Sequence, residues 1–483
     1  MTEVIIAGAG PAGLLLACEL RLAGVDTVVL ERHPRRPDFC RGFNLNARAL
    51  DLLARRGLAD PLIAEGWRVP HAAFSSLPVT LGLAGTHTDH PYSLGIPQTR
   101  VEEILEEHAT ARGADIRRGH ELRGLAQDDD GVEVTVATGG GEYRLRARYV
   151  VGCDGSSSTV RKQAGIAFPG TATTRWSLLG DVEPAEPLPF GVTSGPGGDV
   201  FVIPRPGYVR VITADPGDHE APVTQEEFQR ALDAALGRPI TIVAARWLTR
   251  FGDAARQAEA YVRGRVVLAG DAAHIHPPAG AIGVNVALDD AFNLGWKLAA
   301  TVRGTAPAHL LGTYHDERHA AGARVLASTQ AQVLLGETSG PLADLLTRVA
   351  RHPGGNRAFA ETITGLDTRY PAHPAGDHPW LGRLALTGDG PLATLQRQGK
   401  GVLLGPDDLV ELAEPWAEHV IMGPGEPEGL LVRPDGHVAW VRTSGADGLR
   451  EALAHWFGEP RSEPQSSHER PTNADAPAGS RTC

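Results

Sequence analysis

Four cysteines in 483 residues, Cys18, Cys40, Cys153 and Cys483, leave little material for covalent or metal-bound scaffolding. They are widely spaced, form no CxxC pair and sit in no Cys/His cluster, so neither a disulfide framework nor a zinc site is expected, and a reducing, cytoplasmic setting fits best. Positive charge is also short: 46 Lys and Arg stand against 58 Asp and Glu, a formal net charge of −12, and the arginines are scattered along the chain. That distribution gives a nucleic-acid surface no support. Long apolar runs are missing as well. The stretch Val4 to Cys18 is broken by Gly and Pro and has no basic leader or cleavage site, so it is expected to be neither a signal peptide nor a membrane span. No internal repeat is present.

What the chain does have is 42% hydrophobic and 22% charged residues, the composition of a soluble protein with two or three domains. Val4 to Ala7 reads as a short buried strand, Gly8 to Gly13 as a glycine-rich turn, Leu14 to Ala23 as a helix and Thr27 to Leu30 as a second strand, together a βαβ unit. Val132 to Val136, Tyr143 to Val151 and Arg265 to Leu268 read as further strands. Between Thr171 and Phe251 the segments are strand-like and punctuated by Pro and Gly, with a hairpin expected around Arg205-Pro206-Gly207. Helices are expected over Asn285 to Arg303, which ends on a basic residue before Gly304, and over His315 to Leu335. Pro371 to Pro391 reads as a linker. Beyond it, Gly401 to Leu404, Glu418 to Met422, a hairpin around Pro434-Asp435-Gly436 and a helix near Leu449 to Phe457 outline a small α/β domain.

The chemistry is concentrated in three turns. In Gly8-Ala9-Gly10-Pro11-Ala12-Gly13, which follows a strand and opens a helix, Gly8 permits the tight turn, Gly10 a close backbone approach to a pyrophosphate, and Gly13 close helix packing. The helix N-terminus adds free N–H groups and positive potential, and Glu31, at the end of the next strand, is placed to accept ribose hydroxyls. Alone this motif does not separate NAD from FAD. Gly152-Cys153-Asp154-Gly155, running on to Arg161, and Gly270-Asp271-Ala272-Ala273-His274 each end a strand in a polar turn, and the second continues through Pro278-Ala279-Gly280-Ala281-Ile282-Gly283-Val284-Asn285 to Asn293-Leu294-Gly295-Trp296-Lys297.

Taken together, these motifs resemble the p-hydroxybenzoate hydroxylase-like FAD-dependent monooxygenases, above all the bacterial aromatic polyketide hydroxylases, with the rifampicin monooxygenases nearby. The resemblance runs from Val4 to about Phe457 and includes Arg41-Gly42 and Gly95-Ile96-Pro97-Gln98. It implies FAD as cofactor, NADPH or NADH as cosubstrate, O2, and an aromatic small molecule as the partner that receives one oxygen atom. It also implies that Asp271 binds the ribityl or pyrophosphate region, that Arg32, Arg41 and Gln98 contact the cofactor, and that Asp154 and Arg161 bear on FAD and NAD(P)H. Gly280 to Asn285, with Pro278 before them, would turn backbone N–H groups toward the flavin pyrimidine. Polyketide hydroxylases usually carry Gly-Gly-Gln-Gly where this chain has Gly280-Ala281-Ile282-Gly283, so Ile282 is expected to replace a polar neighbour of the reacting oxygen and to tune oxygen use. That departure keeps Baeyer–Villiger or ring-rearranging chemistry open beside hydroxylation, as the resemblance keeps open an antibiotic-inactivating hydroxylase or a flavin-bound carrier without turnover.

His274 and His276 form HxH without a third ligand cluster, and Ser156 to Ser158 lack a nucleophile elbow, so neither a metal site nor a hydrolase is expected. Trp176, Tyr208, Trp247 and Phe251 are candidates to line a substrate cavity. No side chain is assigned as catalytic acid or base. The expected fold is α/β: a Rossmann-like FAD-binding domain (1–70, 97–170 and 252–375), an inserted β-sheet substrate domain (71–96 and 171–251), a thioredoxin-like domain (376–460) and a disordered tail (461–483). Monomer and homodimer are both compatible with it, and no membrane contact is expected. The tail is rich in Ser, Glu, Pro and Arg and has almost no apolar residues, so it has no core to join. A truncation ending at Pro460 is therefore expected to keep its FAD content and its melting temperature; a large loss of either in a thermal scan shows that the tail docks.

Overall fold

The structure, a computed structural model, describes residues 2–460 except 218, 220, 337–339, 374–375, 389, 424–428 and 444; the tail lies outside the described residues. Its central layer follows from short, doubly buried apolar runs, which suit parallel strands covered on both faces. Val4–Ala7 pairs in parallel with Thr27–Glu31 on one side and Tyr149–Gly152 on the other, and Val266–Leu268 lies parallel beyond Tyr149–Gly152. Asp115–Arg118 and the antiparallel Val262–Arg263 complete a six-stranded sheet. The first helix, Pro11–Leu22, packs on the long helix Gly283–Arg303. They approach closely at Gly295, where a Cβ would lie 2.4 Å from that of Glu19.

Two sequence readings change here. The run Tyr143 to Val151 is two strands: Gly141–Ala147 closes an antiparallel meander with Val132–Thr138, while Tyr149–Gly152 enters the parallel sheet. The break falls at Arg148, whose backbone N–H turns to the Glu3 carbonyl, a tertiary bond that periodicity does not report. The segment 71–96 forms no strand pairing with the inserted sheet among the described residues. Its strand Ser93–Gly95 pairs with Asn44–Leu45 and Trp67–Val69, and its hairpin His71–Ala72 with Leu81–Gly82 packs on the helix Pro353–Thr364.

The inserted sheet has five antiparallel strands, in the order Gly191–Gly195, Gly198–Arg205, Tyr208–Ala214, Trp176–Pro184 and Ile242–Gly252. Its hairpin turns at Pro206-Gly207, with Arg205 opposite Tyr208 and Gly207 at φ +78°. A helix the sequence reading did not expect, Gln225–Leu236, opens on a Thr224/Glu227 capping box and covers one face with Phe228 and Leu232 against Leu178, Val202 and Val211. The C-terminal sheet runs in the order Val420–Gly423, Gly401–Leu404, Leu430–Val432, Val438–Val441, its first pair parallel and the others antiparallel. With the helices Asp407–Ala413 and Leu449–Phe457 this is a thioredoxin-like βαβ/ββα arrangement. The expected linker is partly built into it: Leu381, Leu384 and Ala385 are buried, and Leu384 bridges to His437. No helix among the described residues is long and apolar enough to cross a membrane.

These layers are joined by buried charge. On the long helix, Asp289 accepts from both Arg48 and Arg318, and Asp290 from Arg318, from His274 at 2.7 Å and from the backbone N–H of Gly270 at 2.9 Å. Further along, Lys297 and Asn293 donate to Glu317, which also takes a fork from Arg433 of the C-terminal hairpin; Arg433 grips Asp435 in turn. His437 links Asp435 back to Arg48. Four carboxylates thus face four cations in the interior, a balance that offsets the several kcal/mol each ion loses on leaving water. Burial would raise the carboxyl of Asp290, but His274 and Arg318 outweigh it and hold it at about 2. Glu317 is likewise held at about 2, burial being outweighed by Arg433 and Lys297.

Replacing Arg433 by Met removes one cation and leaves Glu317 and Asp435 short of partners, so the variant should unfold about 3 to 5 kcal/mol more easily in urea. Because the folded carboxyls of Asp290 and Glu317 sit below their unfolded values of 3.8 and 4.5, their stabilising share is complete above about pH 4.5. It should be lost as pH falls toward 2, and circular dichroism through an acid titration reads it. Stability unchanged by either treatment removes the network from the fold's support.

Candidate cofactor site

The first turn is shaped by contacts no side chain could tolerate. Gly8 has φ +106° and donates to the Leu30 carbonyl at 2.7 Å; a Cβ there would meet the Cys153 carbonyl oxygen at 2.3 Å, and one on Gly13 the Gly8 carbonyl oxygen at 2.0 Å. Gly10 differs. A Cβ built on it has no protein atom within 4 Å, so this glycine borders open space at the N-terminus of the first helix. Pro11 has no N–H, and those of Ala12 and Gly13 lie in the first turn, short of an intrahelical acceptor. Glu31 fixes the turn's exit by accepting from the backbone N–H groups of Ala9 and His33, both at 2.9 Å. Exposed Arg32 lies beside it, its Nε 3.2 Å from His33 Nε2.

The second turn is used internally. Asp154 caps the helix Thr159–Gln163, accepting from Ser158 Oγ and from the N–H groups of Thr159 and Val160. Arg161 is buried, with its guanidinium 3.7 Å above the Phe168 ring, and donates to the carbonyls of Ser156 and Ala272. These two residues, expected to bear on the cofactors, bond to the protein and tie the second turn to the third. In the third, Gly270 takes φ +62° and Asp271 is exposed, its carboxylate bonded to no group among the described residues. His274 is engaged by Asp290, and His276 Nδ1 lies 2.8 Å from the Pro277 carbonyl oxygen.

After exposed Pro278, Gly280 at φ +75° and Ala281 at φ +53° turn the chain into the long helix. The left-handed conformation costs a non-glycine residue such as Ala281 about 1 to 2 kcal/mol. Asn285 sustains the turn: its amide donates to the Asn44 and Ala281 carbonyls and accepts from the Asn46 N–H at 2.8 Å. The N–H groups of Ile282, Gly283 and Val284 have no protein acceptor among the described residues, so the loop and helix N-terminus leave three donors available for an electron-rich edge. The expectation for Ile282 is corrected. Its side chain is 5% exposed and belongs to an apolar cluster with Phe74, Leu77, Leu81, Leu335 and Ile363; the helix that carries Leu335 was expected, whereas the placement of segment 71–96 and of the helix that carries Ile363 was not, and its part in the turn is backbone geometry.

Two more expected residues come together across 57 positions of chain. The Gln98 N–H donates to the Gly42 carbonyl at 2.8 Å, beside exposed Arg41, and the Gln98 amide donates to Glu102. What holds the Arg41 loop was not foreseen: Arg210 of the inserted sheet, paired through two bonds to Asp181, also donates to the carbonyls of Cys40 and Arg41. Of the aromatic candidates, Trp247 stacks on Phe39 of this loop at 4.6 Å. Trp176 stacks on His219, Tyr208 lies under Arg246, and Phe251 stands opposite Ser177.

A parallel Rossmann-like sheet, an open glycine at a helix N-terminus, a free Asp271 carboxylate and unpaired N–H groups at a second helix N-terminus fit a dinucleotide flavin and define a flavoprotein fold. Comparison with known proteins agrees. Residues 1–329 match the family described as FAD binding domain, and residues 378–460 that described as aromatic-ring hydroxylase, C-terminal. The 12-dehydrotetracycline 5-monooxygenase/anhydrotetracycline 6-monooxygenase of Streptomyces rimosus is 42% identical over 95% of this chain and 99% of its own. A rifampicin monooxygenase of Streptomyces venezuelae is also 42% identical over the same shares. The solved anhydrotetracycline hydroxylase from Streptomyces rimosus superposes with a TM-score of 0.90 at 42% identity, covering 95% of this chain and 99% of that one. The chain belongs to the FAD-binding aromatic-ring hydroxylase family and is an FAD-dependent, NAD(P)H-dependent monooxygenase.

The two glycines of the first turn separate fold from cofactor. Gly10→Val points into open space, so the apoprotein should melt like the parent while FAD binding is lost; Gly13→Val collides with backbone and should lower the melting temperature itself. In the same titrations Asp271→Ala should weaken FAD by about 1.5 to 3 kcal/mol, roughly ten- to a hundredfold. Undiminished FAD binding by Gly10→Val or Asp271→Ala removes that residue from the site.

Proposed function

We propose that this monooxygenase hydroxylates a polycyclic aromatic polyketide in antibiotic tailoring. The observation that carries the reading is the likeness, over 95% of the chain, to enzymes named for tetracycline and rifampicin substrates. FAD, reduced by NAD(P)H, supplies the activated oxygen when bound. The residues of the chain bind and position. Gly10 and the first helix would take the pyrophosphate, with Glu31 and Arg32 toward the adenosine; Asp271, Arg41 and Gln98 would hold the ribityl and flavin region. The N–H groups of Ile282, Gly283 and Val284 would serve the flavin pyrimidine and stabilise negative charge there. Residues 171–251 form the substrate side, and Trp247 stacks there on Phe39 of the Arg41 loop to give an apolar surface. An antibiotic-inactivating hydroxylase is the second reading, favoured by the rifampicin monooxygenase likeness.

The FAD-loaded protein, given NAD(P)H, 18O2 and a panel of polycyclic phenols, is expected to yield a product carrying a single 18O atom by mass spectrometry. NAD(P)H consumption coupled to no labelled product from any polycyclic phenol refutes the tailoring reading, and label in a rifamycin alone favours the second.

A further inference from the structure

We propose that His309, His373 and His455 form an acid-sensitive seam, which holds the C-terminal helix Leu449–Phe457 on the flavin-binding part while the rings are neutral and releases it when they take up protons. The rings come from three separate segments. His309 lies in the turn between the helices Gly283–Arg303 and Gly312–Gly336, His373 in the segment that leads to the C-terminal unit, and His455 in the last turn of Leu449–Phe457. Both of the others pack on His455: the ring centre of His373 is 4.0 Å away with the planes 12° apart, and that of His309 is 4.3 Å away at 35°. Elsewhere His90, His274 and His437 each stand within 3.1 Å of a carboxylate oxygen, a setting that suits a protonated ring. No carboxylate bonds to any ring of the stack among the described residues.

Contacts this close suit neutral imidazoles, because two imidazolium ions at such a distance repel and nothing of opposite charge is bonded between them. Near-parallel rings also keep their nitrogens in separate planes, and no group of three or more His, Cys, Asp or Glu is arranged to hold a metal ion among the described residues. The chemistry of the cluster is therefore proton uptake. Besides His373 and His309, the groups around His455 are Arg433 of the hairpin, Glu317 of the helix Gly312–Gly336, and Arg450, Glu451 and Glu459, which share with it the lining of a solvent-open cavity of about 530 Å³. Burial, His373, His309 and Arg433 outweigh Glu317 and push the ring down from 6.5 to about 4. Release returns it to its ordinary value. Between about pH 6.5 and 4 the released helix thus binds a proton that the docked one refuses, so docking is fully favoured above that range and weakens as pH falls, by up to about tenfold per pH unit for one proton. Trp456 of the same helix stacks 4.3 Å from the Arg433 guanidinium, which balances Glu317 and Asp435. Release consequently reaches the charges that hold the flavin turns.

The test is hydrogen–deuterium exchange of the FAD-loaded full chain at pH 7.5 and pH 5.0, read as protection factors so that the intrinsic pH dependence of exchange drops out. In the wild type the amides of Leu449–Phe457 should lose protection at least tenfold at pH 5.0, while those of the helix Pro11–Leu22 change little. His455→Phe keeps a flat ring in the stack but takes no proton, so its protection should be the same at both pH values. The double variant His309→Phe/His373→Phe removes the repelling neighbours and should lose much less than the wild type. Bound FAD, followed by its fluorescence on release, should leave the wild type faster at pH 5.0 than it leaves His455→Phe. Protection that does not fall in the wild type, or that falls equally in His455→Phe, overturns the seam. If His455→Phe is already unprotected at pH 7.5, the double variant decides: a loss as large as the wild type's overturns the seam and a smaller one supports it. FAD released equally fast from wild type and His455→Phe at pH 5.0 overturns the link to the flavin turns.

Discussion

Two adjacent buried carboxylates on one helix, Asp289 and Asp290, are the constraint on which most of the structure turns. Neighbouring positions on a helix point about 100° apart, so the pair shares one partner and reaches separate ones to either side of it along the surface of the Gly283–Arg303 helix. Asp289 draws in Arg48 from the N-terminal part, while Asp290 draws in His274 and the Gly270 N–H of the third cofactor turn; Arg318 clamps both. An ion that leaves water must find its partners or destabilise the fold by several kcal/mol, so the cofactor turns are held in place by a requirement that reaches far beyond them.

The C-terminal unit shares in that requirement. Its hairpin supplies Arg433, Asp435 and His437 to the same interior, and Arg56, forked onto Glu19 of the first helix, also donates to the carbonyls of Gln396 and Pro434. A thioredoxin-like arrangement without a CxxC pair has no dithiol chemistry to perform. Its physical work here is to neutralise and cover charges on the helices that carry the flavin turns.

The site itself is a meeting of two sheets. The parallel sheet presents backbone: open glycine, helix N-termini and a left-handed Ala281 secured by Asn285. The inserted sheet presents side chains, with Arg210 locking the Arg41 loop, Trp247 stacked on Phe39 and Arg205 lying over Phe43. Backbone donors suit the constant part of such an enzyme, the cofactor, because their geometry is independent of side-chain rotamers. Side chains suit the variable part, since fold alone does not select a substrate.

By itself the sequence determined the features that depend on local chemistry. The βαβ unit with Gly8, Gly10 and Gly13, the Pro206-Gly207 hairpin and the helix Leu449–Phe457 were legible because turn residues and hydrophobic period act over a few positions. Only the tertiary structure decided what depends on partners far along the chain. That Asp154 and Arg161 tie one turn to the next, that the Ile282 side chain packs into a cluster drawn from distant segments, and that the run Tyr143 to Val151 is divided between two sheets are all set by such partners. The same holds for the pairing of Asp290 with His274 and Arg318, and for the lack of a carboxylate at Arg205 among the described residues. A charged residue carries no mark in the sequence of whether its partner lies 16 positions away, as His274 does from Asp290, or 389, as His437 does from Arg48, because such pairing is set by distance in space, which only the folded chain defines.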